Sequence, residues 1–120
     1  MITGTGIDIV NLGRISRLLE EHGERFIDRV LSPEEKTRIP KIRSEEYIAG
    51  RFAAKEALAK ATTEQFTLTK ISVFNDEKGK PYFSGDLLSS ALKSSKIHLS
   101  ITHDTDYAAA FVVIEKKQEK

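Results

Sequence analysis

The stretch that most restricts how this chain can fold is Gly50-Arg51-Phe52-Ala53-Ala54-Lys55-Glu56-Ala57-Leu58-Ala59-Lys60-Ala61. Alanine, lysine and glutamate are good helix formers, so a helix is expected from about Ser44 onward. Most of its apolar residues are alanine. Tyr47, Ala54, Leu58 and Ala61 recur at three-to-four spacing and give a narrow face that can lie close against another backbone. A second face carries Phe52, Glu56 and Lys60 at four-residue steps, stacked one turn above another. On helix physics alone, Glu56 and Lys60 read as an exposed i,i+4 ion pair worth about 0.3 kcal/mol. The rest of the chain offers both residues a second reading.

Residues 2–10 are β-branched and glycine-rich, which predicts a strand. Alternation puts Thr3, Thr5, Ile7 and Ile9 on one side and Ile2, Gly4, Gly6, Asp8 and Val10 on the other. Asp8 is thus an acid among apolar neighbours, beside two glycines that let something approach the backbone. Asn11 is better placed to cap the next helix, which leaves Asp8 without an evident structural job. Gly4-Thr5-Gly6-Ile7-Asp8 is not a dinucleotide-binding fingerprint, because the third glycine and its strand–helix context are missing.

Leu12, Ile15, Leu18 and Leu19 form the apolar stripe of a helix over Leu12–His22, with Gly23 as its stop. Arg14 and Arg17 lie off that stripe, and Arg25, Phe26 and Arg29 follow in a short amphipathic segment. Two readings stand for these arginines: a solvated helix face, or a surface for an acidic partner with Phe26 at its centre. Ser32-Pro33-Glu34-Glu35 is a helix start, with serine as cap, proline in the first position and glutamate in the third, and Pro40 ends that helix. Thr62-Thr63-Glu64-Gln65 reads as a loop. Leu68–Asn75 is strand-like, Asp76-Glu77-Lys78-Gly79-Lys80-Pro81 is a turn, and Tyr82-Phe83 opens the return strand. Helical spacing returns over Asp86–Lys93. Ile97, Leu99 and Ile101 alternate with His98, Ser100 and Thr102, and a polar turn from His103 leads into Tyr107–Ile114, an apolar run that suits a strand buried on both faces. Glu115 onward is a charged tail. Helices early and hairpins late predict an α+β fold with a mostly antiparallel sheet.

At 120 residues one domain is expected. Nineteen basic against eighteen acidic residues leave a formal charge of +1, and no basic stripe is interleaved with aromatics, which argues against a nucleic-acid module. The absence of cysteine excludes disulfides and zinc-thiolate sites. No apolar run is long enough to cross a bilayer and Met1-Ile2-Thr3-Gly4 does not begin a signal peptide, so a soluble cytoplasmic protein with no membrane partner is the expectation. The hydrophobic share of 39% is low, which fits either a core completed by other subunits or a very polar surface.

Asp8 and Glu56 are the acids that surface logic does not account for. Two carboxylates without a cysteine or histidine pair suit Mg²⁺, which takes one or two carboxylates and fills its shell with water and phosphate oxygens. Lys60, one turn beyond Glu56, is then placed to neutralise phosphate, and His103 is a phosphate contact, a proton carrier or simply exposed.

Four segments in order carry a resemblance that spans nearly the whole chain: Gly4-Thr5-Gly6-Ile7-Asp8-Ile9-Val10, Gly50 to Ala57 with Lys60-Ala61, Gly79-Lys80-Pro81, and Leu99-Ser100-Ile101-Thr102-His103. With them the chain closely resembles the bacterial holo-[acyl-carrier-protein] synthases, the small class of 4′-phosphopantetheinyl transferases. The resemblance implies that fold and a Mg²⁺-dependent transfer of the 4′-phosphopantetheine arm of coenzyme A to a serine of apo-acyl carrier protein, releasing adenosine 3′,5′-bisphosphate. It implies Asp8 and Glu56 as metal ligands and Lys60 at the diphosphate. It places Arg51, Gly79, Lys80, Pro81 and His103 along the coenzyme A cleft, and uses Arg14, Arg17, Arg25 and Phe26 to dock the acidic carrier. It further implies homotrimers with each site between two protomers. Where the family has a small glycine-containing loop, this chain has Thr62-Thr63-Glu64-Gln65. Glu56, directly or through water, is the expected proton acceptor, with Asp8 or solvent as the alternative. Two other classes remain open on the residues alone: a Mg²⁺-dependent nucleotide pyrophosphohydrolase, and a non-catalytic module that binds acidic proteins.

Overall fold

The computed structural model describes residues 1–85 and 90–117. It shows the α+β architecture that the pattern predicts. The chain opens with strand β1 (Ile2–Asn11), followed by helices α1 (Leu12–His22), α2 (Glu24–Val30), α3 (Pro33–Lys36) and the long α4 (Ser44–Ala61). Strands β2 (Ser72–Asn75) and β3 (Pro81–Ser84) come next, then a helical turn α5 (Ser90–Lys93), and finally β4 (Ser95–His103) and β5 (Tyr107–Lys116). The expected helix over Asp86–Lys93 lies partly outside the described residues. Glu115 and Lys116, expected to begin a charged tail, are the last residues of β5, paired with Ile2 and Ser95, and residues 118–120 lie outside the described residues. Both sheets are antiparallel: one has three strands in the order β1-β5-β4, the other is the β2-β3 hairpin.

Register fixes two faces on the larger sheet. Gly6, Val112 and Leu99 share one row of the inner face, and Asp8, Ala110 and Ile101 share the next. Ile7, Phe111 and Ser100 lie across the outer face. The inner face is covered by α4, whose Ala53, Ala54, Ala57 and Leu58 are fully buried. The helix lies this close because of two glycines. A Cβ on Gly4 would sit 1.8 Å from the Ala61 carbonyl oxygen, and one on Gly6 would sit 1.9 Å from that of Ala57. Backbone therefore touches backbone, in a space that no other residue leaves open.

Local signals formed as read at several points. Asn11 caps α1 by accepting from Arg14 N at 3.0 Å, and Gly23 ends it at φ 53°. Ser32 and Glu35 form the reciprocal capping box at the start of α3. Two expectations are corrected. Strand β5 is buried on one face, through Ala108, Ala110, Val112 and Ile114, while Tyr107 and Phe111 on the other are exposed, because no layer covers the outer face of this chain. The strand-like run from Leu68 begins with a 3₁₀ turn (Leu68–Lys70), and pairing with β3 starts only at Ser72.

Candidate active site

Asp8 points from the inner face of β1 toward α4, and the backbone contact at Gly6 determines what it meets. Glu56 immediately precedes Ala57, whose carbonyl abuts Gly6, and Lys60 precedes Ala61, which abuts Gly4. Lys60 Nζ donates to Asp8 Oδ1 at 3.0 Å and to the Ile7 carbonyl at 2.9 Å. The simple helix pair between Glu56 and Lys60 is therefore not formed: Lys60 turns across to β1, and Glu56, half-buried, has no ion pair within 4.0 Å among the described residues. The Asp8 side chain is 15% exposed and that of Lys60 56%, so this pair stands at the edge of the core with water on its lysine side.

A second cluster forms at the other half of α4. The Arg51 guanidinium stacks 4.1 Å over the Tyr47 ring and donates to Asn75 Oδ1 at 2.9 Å. Asn75 Nδ2 in turn donates to the Gly79 carbonyl at 3.0 Å. This chain of contacts fastens Arg51 to the turn that presents Gly79, Lys80 and Pro81; Gly79 holds φ 84°, a left-handed conformation suited to glycine. Arg51 Nε is buried and has no hydrogen-bond partner among the described residues. Burial raises the Tyr47 phenol above its ordinary pKa, against the lowering influence of Arg51. His103 ends β4 with Nδ1 at 3.8 Å from Glu46 Oε2. The turn beyond it is held by Asp104, whose carboxyl is kept below its usual range by N–H donors from Tyr107 and Asp106. Arg51 precedes Lys60 by nine positions, roughly 13 Å along the helix axis. No hydrogen bond or ion pair joins the two clusters among the described residues.

The predicted partner surface is a groove of about 340 Å³ between α1, α2 and α4. Arg14, Arg25 and Arg29 stand around it, and Phe26 and Phe52 line it with ring centroids 6.2 Å apart, edge to face. Phe26 is half-buried in this aromatic pair rather than standing free, and Arg17 is exposed away from the groove wall. Phe52 lies one turn before Glu56, so the groove wall and that carboxylate share one face of α4.

Sequence reasoning did not anticipate Asn75, Glu46, or the buried pair of Lys55 and Glu35. Lys55 Nζ donates to Glu35 Oε1 at 2.5 Å and to the Val30 carbonyl at 2.7 Å, and burial lowers its pKa against the raising influence of Glu35. The only early sign was Glu35 in the capping box, a local pattern that says nothing of a partner twenty residues on.

Comparison with known proteins settles the family. The 4′-phosphopantetheinyl transferase superfamily profile matches residues 4–112. The chain belongs to this superfamily. The holo-[acyl-carrier-protein] synthase of Wolbachia sp. subsp. Drosophila simulans is 44% identical over 122 residues, covering 95% of this chain and 98% of that protein. That of Geobacillus sp. is 45% identical over 97% of this chain and 98% of its own. Among solved structures, the Neisseria meningitidis synthase superposes with a TM-score of 0.89 at 41% identity, over 97% of this chain and 100% of that one. The Bacillus anthracis synthase, solved in complex with CoA (3′,5′-ADP), gives 0.83 at 36% identity, over 98% and 99% of the two chains. The transferase fold expected from the four sequence segments is thus the observed fold.

Proposed function

We propose that the chain is a holo-[acyl-carrier-protein] synthase, passing 4′-phosphopantetheine from coenzyme A to a serine of apo-acyl carrier protein and releasing adenosine 3′,5′-bisphosphate. The observation that carries this reading is the Lys60–Asp8 contact where β1 and α4 touch, with Glu56 one turn before Lys60 on the same helix that lines a groove with arginines around an aromatic floor. The donor set fits Mg²⁺. Asp8 on β1 and Glu56 on α4, one turn before the Lys60 that bonds Asp8, are the two carboxylates available to it, and no group of three or more His, Cys, Asp or Glu among the described residues offers a closed cage. Asp8 and Glu56 would hold the ion, which when bound supplies charge stabilisation to the diphosphate.

The protein's own groups account for the remaining chemistry. The carrier's serine oxygen bonds to the phosphorus that bears the pantetheine arm, and the bond from that phosphorus to the bridging oxygen breaks. Glu56 accepts the serine proton, directly or through water, and Lys60 moves from Asp8 to the leaving phosphate as its charge develops. The partnerless Arg51 Nε is a donor in want of an anion and supports a role for Arg51, Lys80 and His103 in holding coenzyme A. The groove suits an acidic carrier, with Arg14, Arg25 and Arg29 steering and Phe26 and Phe52 as the apolar anchor.

Intact-mass spectrometry of apo-acyl carrier protein with coenzyme A and Mg²⁺ tests the reading. The carrier is expected to gain one phosphopantetheine, and to gain nothing with EDTA or with Asp8→Ala. Coenzyme A consumed without a carrier would instead favour the hydrolase.

The Lys60–Asp8 contact has a consequence for metal binding. An ammonium 3.0 Å from Asp8 competes with a cation for that oxygen. Lys60→Met is therefore expected to bind Mn²⁺ about two- to fivefold tighter in the absence of coenzyme A, the range of a partly exposed pair, while binding coenzyme A more weakly. Paramagnetic titration reads the first effect and calorimetry the second; unchanged Mn²⁺ affinity would show that lysine and cation do not compete.

A homotrimer accounts for the outer sheet face. Ile7 is 64% exposed, Ile9 65% and Phe111 46%, a contiguous apolar surface on a short chain. A second copy of the chain on that face would bury it, and the separation of the Arg51 and Asp8 clusters along α4 supports a site built from two protomers. Phe111→Asp is expected to shift the light-scattering mass from three chains to one, with circular dichroism unchanged and transfer lost. A variant that keeps the oligomer mass would refute this face as the interface.

A further inference from the structure

Among the described residues, the most deeply buried ion pair is one that the proposed reaction does not use. Lys55 and Glu35 are both 0% exposed. Besides Lys55, Glu35 Oε1 accepts from Ser32 N at 2.8 Å, and Oε2 accepts from Val73 N at 2.8 Å. With the Lys55 contact to the Val30 carbonyl, one buried node ties together the end of α2, the start of α3, strand β2 and the middle of α4.

Stability alone does not explain such a node. Two buried charges lose their hydration, and an apolar pair of the same volume often stabilises as well or better. What the charged pair supplies is direction, because each of its bonds has one geometry. Helix α4 needs that. Its contact with β1 is made by alanines and by backbone against Gly4 and Gly6, so few side chains interlock to set its rotation or axial position. The elements joined by the node are those whose relative placement the transfer requires. Lys55 is the residue before Glu56, Val30 closes the helix that carries Arg25, Phe26 and Arg29, and Val73 lies two residues before the Asn75 that holds Arg51.

We propose that Lys55, through Glu35 and the Val30 carbonyl, is a positioning residue that sets α4 against α2 so that Glu56 faces the mouth of the partner groove. The proposal rests on the transferase reading for its effect on turnover, and on geometry alone for its effect on helix placement. A protein lacking the node should lose more in turnover than in carrier binding, because the groove between α2 and α4 can readjust to its partner while the reacting geometry cannot.

Lys55→Met and the double variant Lys55→Met/Glu35→Gln test this. The single variant leaves a buried carboxylate uncompensated and is expected to melt far below the parent. The double variant removes both charges and is expected to melt within a few degrees of it. In the double variant, kcat should remain at least twentyfold down, a larger factor than any rise in the dissociation constant for apo-carrier measured by fluorescence anisotropy. A kcat that recovers along with the melting temperature would overturn the proposal, as would a carrier affinity that falls in step with kcat. An independent readout uses the absence of native cysteine. Spin labels at Glu24→Cys on α2 and Ala59→Cys on α4, in labelled chains diluted with unlabelled ones, should give one narrow distance in the parent. The double variant should give a broadened or shifted one, and an unchanged distribution would overturn the proposal. A parent that loads no carrier would refute the transferase reading while the label distances still decide the node.

Discussion

Gly6→Ala is expected to destabilise the protein by about 3 kcal/mol or more, lowering its melting temperature by at least about 10 °C. The added Cβ would sit 1.9 Å from the Ala57 carbonyl oxygen and 2.9 Å from Ala61 N, and both are backbone atoms of α4 that no rotamer change can move. The helix would have to retreat by about 1.5 Å to restore ordinary contact, opening the inner face of the sheet along Val10, Ala110 and Val112. Glu56 and Lys60 would move with it, so the folded fraction should also transfer poorly. Gly79→Ala is the control. Its Cβ meets nothing within 4 Å, and only the positive φ of 84° opposes it, which costs about 1–2 kcal/mol. Thermal melts of the two variants side by side check the argument. Equal, small losses would mean that β1 and α4 are not in backbone contact.

Glu56→Gln is expected to do the reverse, leaving stability within about 0.5 kcal/mol and lowering single-turnover transfer by about 100-fold or more. The stability half follows from the surroundings: Glu56 is half-buried and has no ion pair among the described residues to lose. The activity half follows from the proton that the serine must shed, which glutamine does not accept, and from the loss of one of two carboxylates for the cation. Coenzyme A affinity, assigned to the Arg51 cluster under the proposed function, should change little. Near-normal turnover with coenzyme A still bound would remove Glu56 from the proton transfer. Asp8 would then be the next carboxylate to test.

These two residues differ in how far the sequence revealed them. Glu56 was visible as an acid on a helix of small residues, and Asp8 as an acid in an apolar strand; composition and period sufficed to mark both. The partner of Lys60 was not visible. The i,i+4 rule points it at Glu56, yet it bonds to Asp8 fifty-two positions away, because helix spacing knows nothing of the strand that α4 lies on. Glu35 is a sharper case. Its capping role at α3 was read correctly from Ser32-Pro33-Glu34-Glu35, but the same carboxylate is the hub for Lys55 and Val73, contacts that only long-range packing creates. The β5 run from Tyr107 to Ile114 looked buried on both faces because hydrophobicity marks which residues avoid water and not what covers them.

What the sequence by itself determined is therefore local: the periods of helix and strand, the caps at Asn11 and Ser32, the turn at Gly79, and which acids stand apart from ordinary surface patterns. Tertiary structure decided which of these meet. Two glycines on β1 let the alanine face of α4 approach to backbone distance, and that approach, a non-local fit with no sequence period of its own, brings Lys60 onto Asp8.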